Sequence, residues 1–107
     1  MTLEQLGIPQ KIELLKFNDP ESLAKQAASD FINFCETANQ EHITVALSGG
    51  RITKSFFDKL VAQLEGKSDI LNRVNFFWAD ERCVPPTDDE SNFNIASQLL
   101  FTPLSIE

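Results

Sequence analysis

Apolar and polar positions along this chain fall into blocks whose period changes from one to the next. Lys11 to Phe17 (KIELLKF) is apolar at Ile12, Leu14, Leu15 and Phe17, and reads as a strand or a partly buried edge. From Pro20 to about Ala38, the residues Leu23, Ala27, Phe31 and Phe34/Cys35 recur three or four apart, the spacing of an amphipathic helix with a core-facing stripe. Ile43 to Leu47 is β-branched and apolar apart from Thr44, which suits a strand buried between helices in a parallel sheet. Phe56, Phe57, Leu60, Val61 and Leu64 mark a second helix of roughly Thr53 to Leu64, and Val74 to Trp78 (VNFFW) is another buried-strand pattern. Phe93, Ile95, Ala96, Leu99 and Leu100 outline a last helix, stopped by Pro103.

The punctuation between these blocks agrees with them. Asn18-Asp19-Pro20-Glu21 is a helix start: a capping carboxylate, a proline whose missing N–H costs nothing in the first turn, and an acid beside the positive helix end. Ser91 or Asn92 can cap the last helix. Asn39 to His42 is a polar turn, Glu65 to Asp69 a polar link, and Met1 to Gln10, with Gly7 and Pro9, a loose lead-in. No internal repeat or low-complexity run interrupts the order β, α, β, α, β, α, which implies right-handed crossovers and a parallel sheet with helices on its faces.

Composition narrows the partners. A chain of 107 residues with 42% hydrophobic content holds one modest core, so residues 1–107 are expected to form a single α/β domain. A net charge of −7 disfavours nucleic acid and anionic membrane surfaces, which are bound by basic patches. A small anion needs only a local cluster of donors, and Arg51, Lys54 and Arg82 flank the two loops that carry candidate chemistry. Cys35 and Cys83 have neither metal-ligand nor disulfide-framework spacing, which points to reduced thiols in a soluble cytoplasmic protein. There is no signal-peptide pattern, no metal cluster and no nucleotide fingerprint, so no metal and no cofactor are expected.

Two strand ends carry the chemistry. Ile43 to Leu47 stops at Ser48-Gly49-Gly50, ahead of a helix, and adjacent glycines let backbone approach a ligand while helix N–H groups face the turn. Phosphate binds well in such a place; a tight connection with no ligand is the plain alternative. Val74 to Trp78 runs straight into Asp80-Glu81-Arg82 before Pro85-Pro86, where the arginine either pairs a carboxylate to hold the loop or offers its planar fork to an anion. If the two strands are neighbours, both loops open on one sheet edge and make one site. His42, the only histidine, starts its strand and so belongs at the wrong end for catalysis.

LSGG at Leu47 to Gly50, followed by FFWADERCVPPTDDESN at Phe76 to Asn92, resembles the 6-phosphogluconolactonase family within the glucosamine-6-phosphate isomerase/6-phosphogluconolactonase group. The resemblance covers the chain from first helix to last and corresponds to the N-terminal part of the family's domain. It implies a parallel-sheet, Rossmann-like three-layer fold of the NagB/RpiA type, incomplete in this chain, and hydrolysis of 6-phosphogluconolactone to 6-phosphogluconate in the pentose phosphate route. It also implies phosphate or substrate binding by Ser48, Gly49, Gly50, Arg51, Thr53 and Glu81, with Arg82 and Asp80 as the catalytic candidates. The chain departs from the family in having Arg51-Ile52-Thr53 after the glycines, where a serine or threonine and then a proline are common, and in lacking the later G-x-D-G-H segment whose histidine activates water.

Hydrolysis of a lactone asks for a phosphate anchor, a base for water, and donors near the developing oxyanion. The glycine turn with Arg51 is the anchor and Arg82 the electrostatic group. Asp80 or Glu81 could act as base only if burial raised its pKa, and Arg82 alongside is expected to lower it. Glucosamine-6-phosphate isomerase/deaminase is the second enzyme reading, with DER-x-V-P-P favouring the lactonase. The reading from another class is a non-catalytic half-domain that holds a sugar phosphate, or that self-associates or joins a complementing chain through an unfinished sheet.

Overall fold

The computed structural model describes Gln5, Gly7 and residues 13–106. Helix α1, Pro20–Thr37, starts as its sequence dictates: Asp19 Oδ1 accepts the Ser22 N–H at 2.7 Å and Oδ2 accepts the Ser22 hydroxyl at 3.1 Å. Strand β1, Ile43–Leu47, follows, then α2, Arg51–Leu64, a 3₁₀ segment at Ser68–Arg73, and strand β2, Val74–Trp78. Helix α3, Asn92–Ala96, runs on into a π-helical turn, Ser97–Phe101. The two strands pair in parallel, Ile43 opposite Val74 through Leu47 opposite Trp78, as the β-α-β order requires.

One core lies on one face of this sheet. Ile43 and Leu47 of β1 meet Ala28, Ile32 and Cys35 of α1, Phe57, Leu60 and Leu64 of α2, and Ala96, Leu100 and Leu104 near the C-terminal end. Burying leucine or phenylalanine side chains of this kind stabilises the fold by about 1.5–3 kcal/mol each. Polar contacts tie α1 to α2 above the core: Ser29 Oγ donates to Gln63 Oε1 at 2.9 Å, and Lys59 Nζ lies 3.2 Å from Glu21 Oε2.

Arg73, at the end of the 3₁₀ segment, closes the other end of α1. Its guanidinium donates to the carbonyls of Ala38 at 2.9 Å and Gln40 at 2.6 Å, and to that of Cys35. A cation at a helix C-terminus satisfies orphan carbonyls and complements the negative end of the helix. Burial among these groups pushes the Cys35 thiol up, against the opposing pull of Arg73.

The structure departs from the sequence pattern in four places. Residues 13–17 of the expected first strand are irregular, with Leu14 77% and Leu15 55% exposed; Leu15 and Phe17 instead line a groove with Leu23 and Ile52, and Lys11 and Ile12 lie outside the described residues. The buried stripe of α1 is Ala24, Ala28, Ile32 and Cys35, while Leu23 and Phe34 face out, because small alanines allow α2 to approach closely. Helix α2 starts at Arg51, two residues earlier than Thr53, which brings Arg51 into its first turn. The strands are buried on one face only: Thr44 and Ala46 of β1 and Asn75 and Phe77 of β2 alternate to the far side, where they stay exposed.

Candidate functional site

Because Leu47 and Trp78 are register partners, the chain leaves both strands at the same sheet edge. The Ala79 N–H donates to the Leu47 carbonyl at 2.7 Å, carrying the pairing one residue into the loops. The Ser48 to Arg51 turn and the Asp80 to Arg82 loop therefore lie side by side, as the sequence leads one to expect. His42 is exposed and immediately precedes β1, at the opposite edge.

The two glycines of the turn are needed for different reasons. Gly50 is the residue before α2 and has φ 116° and ψ 173°, a backbone region that L side chains rarely adopt. Gly49 has no such φ, but a Cβ there would collide with Oδ1 of Asn92 and lie 3.0 Å from its Cγ. Thr53 donates its hydroxyl to the Gly49 carbonyl at 3.3 Å, so it braces the turn from one helical turn further on.

The N-terminus of α2 is open. No side chain caps it, and its first backbone bond runs from the Lys54 N–H to the Gly50 carbonyl at 3.3 Å. The N–H groups of Arg51, Ile52 and Thr53 have no intrahelical acceptor and form the positive end of the helix, with the exposed Arg51 side chain in the same turn.

The N-terminus of α3 is stoppered from within. Glu81 Oε1 accepts the N–H groups of Arg82 at 2.7 Å and Asn92 at 2.8 Å; Oε2 accepts the Phe93 N–H at 3.0 Å and the Ser91 hydroxyl at 3.1 Å. Ser91 Oγ in turn accepts the Asn94 N–H at 3.2 Å. These backbone bonds, led by that of Arg82, pull the Glu81 pKa down to about 2. The lowering expected from the Arg82 charge comes instead from backbone amides, Arg82's own included, and it leaves Glu81 unfit as a base.

Asn92 ties the two loops together. It is only 3% exposed, and its Nδ2 donates to the Asp80 carbonyl at 3.0 Å and to Asp80 Oδ1 at 3.4 Å, while its Oδ1 faces Gly49. Arg82 is exposed, and its guanidinium makes no ion pair among the described residues. Ser48, Gly49, Gly50, Arg51, Asp80, Glu81 and Arg82 thus gather at one edge, and Thr53 supports them from α2. Sequence reasoning missed Ser91 and Asn92 as parts of the site; their only signal was as caps of a helix that follows the Asp80 to Arg82 loop.

Residues 18–107 match the family described as glucosamine-6-phosphate isomerases/6-phosphogluconolactonase. The 6-phosphogluconolactonase of Treponema pallidum is 40% identical over 90 residues, which is 84% of this chain and 36% of that protein. That of Haemophilus influenzae is 29% identical over 92 residues, 86% of this chain and 39% of the relative. Among solved structures, 6-phosphogluconolactonase from Trypanosoma cruzi superposes with a TM-score of 0.76 at 26% identity, covering 91% of this chain and 36% of that one. The Thermotoga maritima 6-phosphogluconolactonase gives 0.66 at 29% identity, covering 89% and 41%. The chain spans little more than a third of the length of the curated relatives it matches. The fold these neighbours share is the parallel-sheet α/β fold of the NagB/RpiA type, and the described residues supply part of its sheet and the helices on one face. A match that begins just ahead of α1 and continues past the last helical turn takes in every element described above, and the chain belongs to the glucosamine-6-phosphate isomerase/6-phosphogluconolactonase family.

Proposed function

We propose that this chain provides the phosphate anchor and one electrostatic group of a 6-phosphogluconolactonase, whose reaction is hydrolysis of 6-phosphogluconolactone to 6-phosphogluconate. The observation that carries this reading is the contrast between the two helix starts at one sheet edge: α3 is capped by Glu81, whereas α2 is open beside Arg51, at the same strand ends from which the Arg82 loop departs. A phosphate dianion accepts from the turn of Ser48, Gly49 and Gly50, from the first N–H groups of α2, and from Arg51. Arg82 then stands beside the lactone carbonyl, whose oxygen gains negative charge as water adds; the ring oxygen leaves and takes up a proton. Asp80, locked to Asn92, aligns the loop that presents Arg82, and Glu81 and Thr53 act through the backbone and not on substrate.

Residues 1–107 act in this reading as one α/β unit in the cytoplasm, where free Cys35 and Cys83 stay reduced, with a sugar phosphate as ligand and no nucleic acid, membrane or cofactor. Titration calorimetry with 6-phosphogluconate tests it. Binding that falls about tenfold or more in both Arg51→Ala and Arg82→Ala is expected, and a protein with no affinity for the product is not a lactonase anchor. Ammonia release from glucosamine-6-phosphate would move the chain to the isomerase branch.

A second reading has its own support. Glu81 is held at a pKa of about 2 by the backbone amides it caps and is not a base for water, and the far face of the sheet exposes Ala46 and Phe77. Both suit a binding half-domain that self-associates or docks on a complementing chain over that face. Sedimentation of the 107-residue chain as a monomer, without phosphate-ester binding, would remove this reading.

A further inference from the structure

We infer that Asn92 is a positioning residue, a latch that fixes the distance between the glycine turn and the arginine loop; the inference rests on the sugar-phosphate reading of the site. Asn92 touches both loops at this sheet edge. Its backbone N–H is held by Glu81 at 2.8 Å, its Nδ2 by the Asp80 carbonyl at 3.0 Å, and its Oδ1 occupies the space that a Cβ on Gly49 would need. The side chain is almost fully buried, so it does not meet ligand itself. With Glu81 it joins the start of α3 to the loop that carries Arg82, and through Gly49 it joins that unit to the turn that carries Arg51. A ligand bridging the α2 N-terminus and Arg82 reads this spacing directly, because small misplacements of positioned groups weaken the interactions they make.

The contact with Gly49 is steric and the contact with Asp80 is a hydrogen bond, so the two can be separated by mutation. Gly49→Ala should lower stability in the wild type and cost much less in an Asn92→Ala background, because the collision partner is then gone. An equal loss in both backgrounds overturns the latch. Calorimetry with 6-phosphogluconate, at a temperature where circular dichroism shows every variant folded, supplies the second readout. Asn92→Ala and Asn92→Asp should both bind about tenfold more weakly, the loss of about one hydrogen bond's contribution. Ile32→Val, a core change away from the site, should lose stability without losing affinity. Wild-type binding with an unchanged constant in Asn92→Ala overturns the latch alone; absence of wild-type binding overturns the functional reading and this inference with it.

Discussion

Glu81 Oε1 accepts the Asn92 N–H at 2.8 Å, and this bond makes the carboxylate of one loop the cap of the next helix. Its sign with pH follows from the Glu81 pKa, which falls from the ordinary 4.5 to about 2. A depressed carboxylate pKa contributes stability that is fully present above the unfolded value and is lost as pH falls through the folded one. Urea midpoints should therefore decline between about pH 4.5 and pH 2, and the decline should be shallower in Glu81→Gln. Equal slopes for the two proteins would show that the cap does not form in solution.

Gly50 has open space around its Cα but a φ of 116°. Gly50→Ala should cost about 1–2 kcal/mol through backbone strain alone, with no clash to relieve. Because the strain sits at the entrance to α2, affinity for 6-phosphogluconate should fall with stability. Chemical denaturation and calorimetry on the same sample check both. A neutral Gly50→Ala would mean that the turn takes another conformation.

Arg73 satisfies the carbonyls of Cys35, Ala38 and Gln40 at the end of α1. Arg73→Met keeps much of the aliphatic stem and removes the charged donors, and should cost about 2–3 kcal/mol. Arg73→Lys should recover only part of that, because a single ammonium cannot spread over the same fan of acceptors. Thermal unfolding of the two variants gives the comparison.

The inward face of α1 can be tested residue by residue. Ile32→Ala, at 9% exposure, should cost about 2–4 kcal/mol, while Phe34→Ser, at 53%, should change stability by less than about 0.5 kcal/mol. The reverse order would return the helix to the orientation that its larger apolar residues predict.

That orientation shows where the sequence was legible and where it was not. Asp19-Pro20, the strand ends at Leu47 and Trp78 and the capping serine at Ser91 are set by local chemistry, and each was readable from neighbouring residues. The face of α1 depends on whether Leu23 and Phe34 or the adjacent Ala24 and Ala28 meet α2, and periodicity fits both stripes. Residues 13–17 lack a strand partner among the described residues, and apolar content alone could not reveal that. Arg73 and Asn92 act on groups more than ten positions away, so their roles exist only once the chain has folded. Glu81 read as a ligand-facing acid for the same reason, since the helix it caps begins beyond a double proline.

The open start of α2 has a kinetic consequence. The 107 residues carry a net −7, so 6-phosphogluconate, anionic at both its phosphate and its carboxylate, is repelled at long range and attracted only within the last few ångströms of the α2 start. Added salt shortens the reach of the repulsion more than that of the contact. Association of 6-phosphogluconate, followed by stopped flow, should therefore quicken as ionic strength rises from low values, opposite to the behaviour of a basic protein that draws its anions in from a distance.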